Sequence, residues 1–181
     1  MRPNSKSMTM NDTPALSPTL PTSPEQLLAR LAALGLKTRT VSHPPVFTVE
    51  EAKALRGELP GAHIKNLFLR DKKGKMWLVV AEEDRPIDLK ALGELLGGRL
   101  SFGSADRLMI YLGVLPGAVT PFAVINDRER LVTVALDAGM LLRSPLNYHP
   151  LRNDRTTAIA PEDLVRFLEA EGHPPRILDL G

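Results

Sequence analysis

Lys65 is the residue whose chemistry fits its surroundings least. It lies in the run Ile64-Lys65-Asn66-Leu67-Phe68-Leu69-Arg70. In an extended strand, successive side chains alternate between two faces. Lys65 therefore shares a face with Leu67 and Leu69, and Asn66 shares the other with Ile64 and Phe68. A charge and an amide thus open a strand that otherwise reads as buried. Two readings stand at this point. Both groups can lie at the strand end and snorkel into water. Alternatively, the lysine guards the mouth of an apolar pocket and meets an anionic group or a polarised carbonyl.

Two further segments carry candidate chemistry. Leu115-Pro116-Gly117-Ala118-Val119-Thr120-Pro121 brackets a glycine and small residues between prolines. It is either a stiff connector or a preorganised loop whose backbone N–H groups face a ligand, with Gly117 permitting close approach. Leu146 to Thr157 is rich in hydrogen-bonding groups and leads into a strand. It is either a solvated loop or a segment that places His149, Asn153 or Thr156 at a cleft formed by strand ends. Lys65, Arg70, Lys72, Lys73 and Lys75, less Asp71, put a net +4 within eleven residues. Such a run is a solvated face or a contact for an RNA backbone.

Other chemistries find no support. The histidines His43, His63, His149 and His173 include no pair at ligand spacing on a helix, and there is no cysteine to complete a metal site. No metal and no cofactor is expected. The absence of cysteine also excludes disulfides, iron–sulfur clusters and thiol nucleophiles. There is no G-x-S-x-G elbow, and Ser104 reads as a helix N-cap. Neither a phosphate-binding P-loop nor a dinucleotide G-x-G-x-x-G occurs, and Gly97-Gly98 reads as a helix stop.

These residues must be held by a folded body. The 181 residues, 43% hydrophobic, suffice for one domain with a real core. The formal charge of +2 excludes a histone-like polycation while permitting a local basic face. The longest apolar run, Met76 to Ala81, is far below a membrane span, and Arg2 and Lys6 precede no apolar signal segment. A cytoplasmic protein without membrane contact is expected. Pro, Ser and Thr make up 13 of the first 24 residues, so residues 1–22 read as a disordered tail and 23–181 as the domain.

Within the domain, helices and strands alternate. Ser23-Pro24-Glu25-Gln26 is a capping box that opens a helix ended by Gly35. Thr38 to Ser42 is a short strand, and Thr48-x-x-Glu51 opens a short helix ended by Gly57. Ile64 to Asp71 and Lys75 to Ala81 form a hairpin. Helices follow at Asp88 to Leu96 and Ser104 to Leu112. Strands are expected at Phe122 to Ile125, Leu131 to Leu136 and Thr156 to Ala160, with a short helix at Asp137 to Leu142 and a last helix at Pro161 to Glu171. Met76–Ala81 and Leu131–Leu136 are nearly continuous apolar runs, which implies strands covered on both faces. The class is α/β or α+β, a single-domain mixed sheet packed by helices.

At the same segments the chain resembles the free-standing prolyl-tRNA editing proteins, members of the wider superfamily of YbaK-like editing domains. The stretches that carry the likeness are His43 to Ala52, Gly61 to Leu69, Gly113 to Phe122 and Asn147 to Leu151. In order and spacing they span roughly residues 24–180. The resemblance implies a YbaK-like fold and hydrolysis of alanine mischarged onto tRNA for proline. It implies that Lys65 is the family's key lysine with Asn66 beside it. Gly117 and Pro121 match its G-x-x-x-P loop, and His149 matches the histidine of its late loop. On this basis Lys65 and the Gly117 backbone are catalytic, while Asn66, Pro121 and His149 bind substrate. Arg70, Lys72, Lys73 and Lys75 would contact tRNA. Transient contact with prolyl-tRNA synthetase or an elongation factor and a monomeric state are further expectations. The alternatives are editing of serine or cysteine, a hydrolase for small aminoacyl esters, and a non-catalytic tRNA-binding module.

Overall fold

The computed structural model describes residues 20–45, 54 and 59–180. The helix expected between Thr48 and Gly57, and most of the proposed tail, lie outside the described residues. Among these, four α-helices are α1 (Pro24–Ala33), α2 (Leu89–Leu96), α3 (Ala105–Leu112) and α4 (Pro161–Ala170). Eight strands are β1 (Thr38–Ser42), β2 (Ile64–Asp71), β3 (Met76–Glu82), β4 (Leu100–Phe102), β5 (Val132–Asp137), β6 (Leu146–Tyr148), β7 (Arg155–Ile159) and β8 (Arg176–Leu178).

The helix starts follow their caps. Ser23 Oγ accepts from the Gln26 N–H, and the Gln26 side chain accepts from the Ser23 N–H, closing the capping box. Asp88 and Ser104 cap α2 and α3 by accepting from the Lys90 and Arg107 N–H groups, and left-handed Gly97 and Gly113 end them. Ahead of α1, the Thr22 N–H donates to Asn126 Oδ1 at 2.9 Å, so the end of the proposed tail is tied to the body.

The strands form two sheets. The larger is mixed, in the order β4-β2-β3-β5-β8, with β3–β5 and β5–β8 parallel and the other pairs antiparallel. The smaller is antiparallel, β1-β7-β6. The mixed sheet packed by helices agrees with the expected class. Strand β3 shows why its apolar run is continuous. Leu78 and Val80 enter the larger apolar cluster with Phe68, Phe122 and Phe167, whereas Trp77 and Val79 enter a second cluster with Leu92 and Leu96 of α2. Both faces are covered, so no polar alternation survives.

Several expectations are corrected. The apolar run at Phe122–Ile125 is not a strand but part of a 3-10 helix, Pro121–Asn126. Pro121 fixes the first helical φ, and Thr120 Oγ1 accepts from the Phe122 N–H at 3.3 Å. A short buried run carries no periodicity that separates these two states. Asp137 does not open a helix; it ends β5, and only Met140–Leu142 form a 3-10 turn. The strands β4, β6 and β8 leave no mark in the sequence, since three residues are too few to show alternation. The polar turn after Asn126 has a buried origin: the Asp127 carboxylate accepts from the Leu131 and Val132 N–H groups and pairs with His173 at 2.9 Å.

Candidate active site

The two sheets join at the start of β2. The Ala62 N–H donates to Pro145 O at 3.0 Å, and Ala62 bridges Leu146 in parallel. Asn147 Nδ2 donates to Pro60 O and Ala62 O at 2.9 and 3.2 Å. Gly61 makes this approach feasible: its φ is +103°, and a Cβ there would lie 2.4 Å from Pro145 O. From this bridge both chains run in the same direction. One reaches Lys65 after three residues, and the other reaches His149.

Lys65 is half-buried and pairs with Ala81 of β3. Its ammonium donates to the Arg85 carbonyl oxygen. An ammonium has three donors, so this contact leaves capacity for a substrate oxygen. The Arg85 side chain in turn meets Asp137, with Nε to Oδ2 at 2.8 Å. Asn66 points to the opposite face, where its neighbours Ile64 and Phe68 join the larger apolar cluster. Asn66 Oδ1 is buried and has no partner. A buried acceptor left unpaired costs on the order of 1–3 kcal/mol, which a ligand donor would recover.

The late loop supplies the imidazoles. His149 Nδ1 lies 2.8 Å from Arg155 O. A carbonyl only accepts, so Nδ1 carries the hydrogen and Nε2 of the neutral ring is an acceptor. Burial pushes the His149 pKa below its ordinary value, with a smaller contribution from nearby His43. The rings of His43 and His149 are 6.2 Å apart. His43 Nδ1 lies 2.8 Å from Pro44 O, so it donates there and Nε2 accepts from Thr156 Oγ1, also at 2.8 Å.

Gly117 sits exposed in the 3-10 turn Pro116–Ala118. A Cβ on Gly117 would lie 3.3 Å from Asn153 Nδ2, so this loop and the late loop touch. The Ala118 N–H is already committed to Leu115 O at 2.8 Å. Pro121 is buried at the first position of the next 3-10 helix.

The basic hairpin lies elsewhere. Lys72 and Lys73 are exposed at the turn, which Asp71 Oδ1 fixes by accepting from the Lys73 and Lys75 N–H groups at 2.9 Å. Lys75 Nζ lies 4.5 Å from the Trp77 ring centroid, in cation–π range, and Arg70 is half-buried between β3 and β4. Lys65 and the turn at Lys72 are seven residues apart along and just beyond β2, a span of at most about 23 Å at roughly 3.3 Å per residue.

Gly117 and His149 thus belong to adjoining loops, with Lys65 and Asn66 at the sheet junction that leads to them. His43, Thr156 and Asn153 complete the late-loop cluster. Asn153 and Thr156 were legible as cleft candidates, whereas His43 stood in a motif with no role attached. Arg85 and Asp137 carried no signal, because they are 52 residues apart and meet only in the fold.

The comparisons bear on this arrangement. Residues 43–167 match the family model described as the aminoacyl-tRNA editing domain. The prolyl-tRNA editing protein ProX of Acetoanaerobium sticklandii is 39% identical over 158 residues, covering 86% of this chain and 96% of that protein. The multifunctional Ser/Thr-tRNA deacylase ProXp-y of Escherichia coli K12 is 29% identical over 156 residues, covering 79% and 91%. A solved structure described as a candidate trans-editing enzyme for prolyl tRNA synthetase superposes with a TM-score of 0.66 at 22% identity, covering 89% of this chain and 98% of that one, which shows a shared fold. The matched span holds Lys65, Asn66, Gly117, Pro121 and His149 together, and the chain belongs to the aminoacyl-tRNA editing domain family.

Proposed function

We propose that this protein is a trans-editing deacylase that hydrolyses the ester joining alanine to the terminal adenosine of tRNA for proline. The observation that carries this reading is the family match over residues 43–167, within which the candidate residues fall. A 39% identical relative that spans nearly the whole domain is named a prolyl-tRNA editing protein, which supports proline tRNA as the carrier.

In this reading a water adds to the ester carbonyl and negative charge develops on its oxygen. Lys65 holds that oxygen or the terminal phosphate, bringing the ester into an attack geometry. The backbone N–H groups of the Gly117 loop other than that of Ala118, which is committed to Leu115 O, stabilise the oxyanion, typically at a few kcal/mol for each donor. The orphaned Asn66 Oδ1, on the other face of β2 from Lys65, accepts from a donor elsewhere on the substrate than the group Lys65 holds. His149 Nε2, or a ribose hydroxyl of the substrate, orients the water. The carbonyl–oxygen bond to ribose then breaks, and the ribose oxygen takes up a proton as free alanine leaves. The tRNA is met at its acceptor end, in the cytoplasm where charged tRNA is found.

A narrow pocket excludes proline by clash, but one methylene is worth only about 1–3 kcal/mol, so smaller residues are rejected weakly. A second reading, editing of serine or another small hydroxylated residue, is supported by the 29% identical relative named a Ser/Thr-tRNA deacylase. The deciding experiment charges tRNA for proline with alanine, serine, cysteine or proline and follows loss of the ester. Fastest turnover of the alanyl ester with the prolyl ester intact supports the first reading. A seryl preference moves it to the second, and no turnover of any ester leaves a tRNA-binding module.

A further inference from the structure

The backbone of β2 sets the Cα–Cβ direction of Lys65 but not the position of the ammonium at the end of its flexible stem. What fixes the ammonium is the carbonyl of Arg85, in the connection that follows β3. That connection is itself tethered. Arg85 Nε reaches Asp137 Oδ2 at 2.8 Å, at the carboxyl end of β5. The Asp137 side chain is 1% exposed and that of Arg85 22% exposed. The other carboxylate oxygen, Asp137 Oδ1, accepts from the Gly139 N–H at 3.1 Å. Gly139 leaves room for the guanidinium, since a Cβ there would lie 2.8 Å from Arg85 Nη2. The connection is held at its start as well, where the Glu83 N–H donates to His63 O at 2.9 Å, two residues before Lys65.

We propose that the buried Asp137–Arg85 pair is a positioning device for Lys65: it locks the Arg85 carbonyl that aims the lysine ammonium at the substrate. The role requires neither residue to touch substrate. A buried carboxylate is costly unless paired, and Asp137 is paired through both oxygens, one to the Arg85 guanidinium and one to the Gly139 N–H. Here the pair converts a loop into a rigid acceptor, and an ammonium on a flexible stem needs such an acceptor to hold one orientation. Displacing a reacting group by about 1 Å can cost on the order of a hundredfold in rate, so loss of the lock is felt in turnover before binding.

This inference rests on the catalytic reading of Lys65, and the test separates the two. Single-turnover hydrolysis of alanyl-tRNA for proline is measured for the wild type, Lys65→Ala, Asp137→Asn and the double variant. Asp137→Asn is expected to lower the rate constant by about ten- to a hundredfold with the half-saturating tRNA concentration within about twofold. In the Lys65→Ala background, the same substitution is expected to cost nothing further, because the lysine it aims is gone. Full activity of Lys65→Ala would remove the catalytic reading itself, and this proposal with it. If Lys65→Ala is impaired, a near-wild-type Asp137→Asn protein overturns the positioning role alone. So do losses that multiply in the double variant, the mark of a merely structural effect. Should Asp137→Asn fail to fold, Arg85→Gln reads the same contact from its more exposed side, with the same expected non-additivity.

Discussion

The two ends of strand β2 hold lysines under opposite conditions. At the start, Lys65 is half-buried, its ammonium donates to a fixed carbonyl, and its neighbour Asn66 presents a buried, unpaired oxygen. At the far end, Lys72 and Lys73 project from a turn into water, and the hydrogen bonds that shape the turn come from backbone and Asp71. The first environment selects one orientation of one charge. The second provides charge density with no orientation at all. Chemistry on an ester needs the former, and attraction of a polyanion needs only the latter. The separation of about 23 Å also matters: a terminal adenosine held at Lys65 is out of reach of the hairpin, which could meet only RNA further from the ester.

This contrast breaks most decisively at Lys65. Lys65→Ala should retain the fold, since the side chain is half-buried and not part of either apolar cluster. It should lose deacylation by about a hundredfold or more, equivalent to a few kcal/mol of transition-state stabilisation. Lys65→Arg should rescue poorly, because a planar fork cannot place one donor on the Arg85 carbonyl and another on the substrate in the same geometry. Single-turnover hydrolysis, with circular dichroism as the folding control, decides the matter. A folded Lys65→Ala protein keeping more than about a third of the wild-type rate, a difference below roughly 1 kcal/mol, would return this lysine to a snorkelling role.

A second break is made with acid. Burial depresses the His149 pKa below the ordinary 6.5, so the ring is neutral at physiological pH with Nε2 as acceptor. If that lone pair orients the water, turnover should stay level as pH falls from 8 to about 6.5 and decline below. His149→Gln should lower the plateau and remove this acid limb. The same depression has a stability consequence. Below about 6.5 the unfolded chain binds a proton that the folded state resists, so this contribution is complete above that pH and is lost as pH falls further. Comparing pH-dependent melting of the wild type and His149→Gln isolates it, because the variant lacks the titration. An acid limb that persists in the rates of the variant would assign it elsewhere.

What the sequence discloses follows the same division. Caps, glycine stops and the hairpin are local, and Ser23, Asp88, Ser104, Gly97 and Gly113 act where local rules put them. Lys65 and Asn66 are conspicuous because strand alternation makes polar groups stand out among apolar ones. The Gly117 and His149 segments also stand out by composition, but that they touch through Asn153 does not follow from either. Contacts that span the fold leave no trace in spacing. The Asp137–Arg85 pair, the His43–Thr156 pair and the Asp127–His173 pair each join distant segments, and nothing in the spacing of their members announces the pairing. The strand expected at Phe122–Ile125 fails for a different reason: burial of all sides erases the signal that distinguishes strand from 3-10 helix.

At the hairpin end the expected effects are smaller and of another kind. Lys72→Glu with Lys73→Glu should raise the KM for charged tRNA several-fold and leave kcat within about twofold. The dependence of KM on salt should flatten, because two phosphate partners are removed. Arg143 and Arg152 provide the comparison. Arg143 pairs with Glu82 at the Lys65 end of the sheet, and Arg152 pairs with Asp154 in the late loop. If charge reversal at Arg143 and Arg152 raises KM while reversal at Lys72 and Lys73 does not, the RNA path runs across the late loop and the hairpin leaves the footprint.

The smallest effect is expected at the N-terminus, where two truncations a few residues apart should behave differently. A chain beginning at Leu20 keeps the Thr22 bond to Asn126 and the Ser23–Gln26 capping box. It removes only residues whose composition offers no apolar stripe to bury. Its melting temperature and deacylation rate should match the full chain. A chain beginning at Pro24 loses the Ser23 hydroxyl, which occupies the Gln26 N–H, and the tether to the 3-10 helix at Asn126. Loss of such a cap costs about 1 kcal/mol, which lowers the melting temperature by roughly 2–5 °C in a domain of this size. The rate should still be preserved, because α1 packs into the larger cluster through Leu27 and Leu31, and its first turn meets the late loop through the Glu25–Arg155 pair, whose carboxylate faces solvent. Calorimetry of the two truncations side by side reads the difference. Equal melting temperatures would show the cap to be dispensable. A large loss in the Leu20 truncation would show that the preceding residues pack on the domain and that its boundary lies further toward Met1.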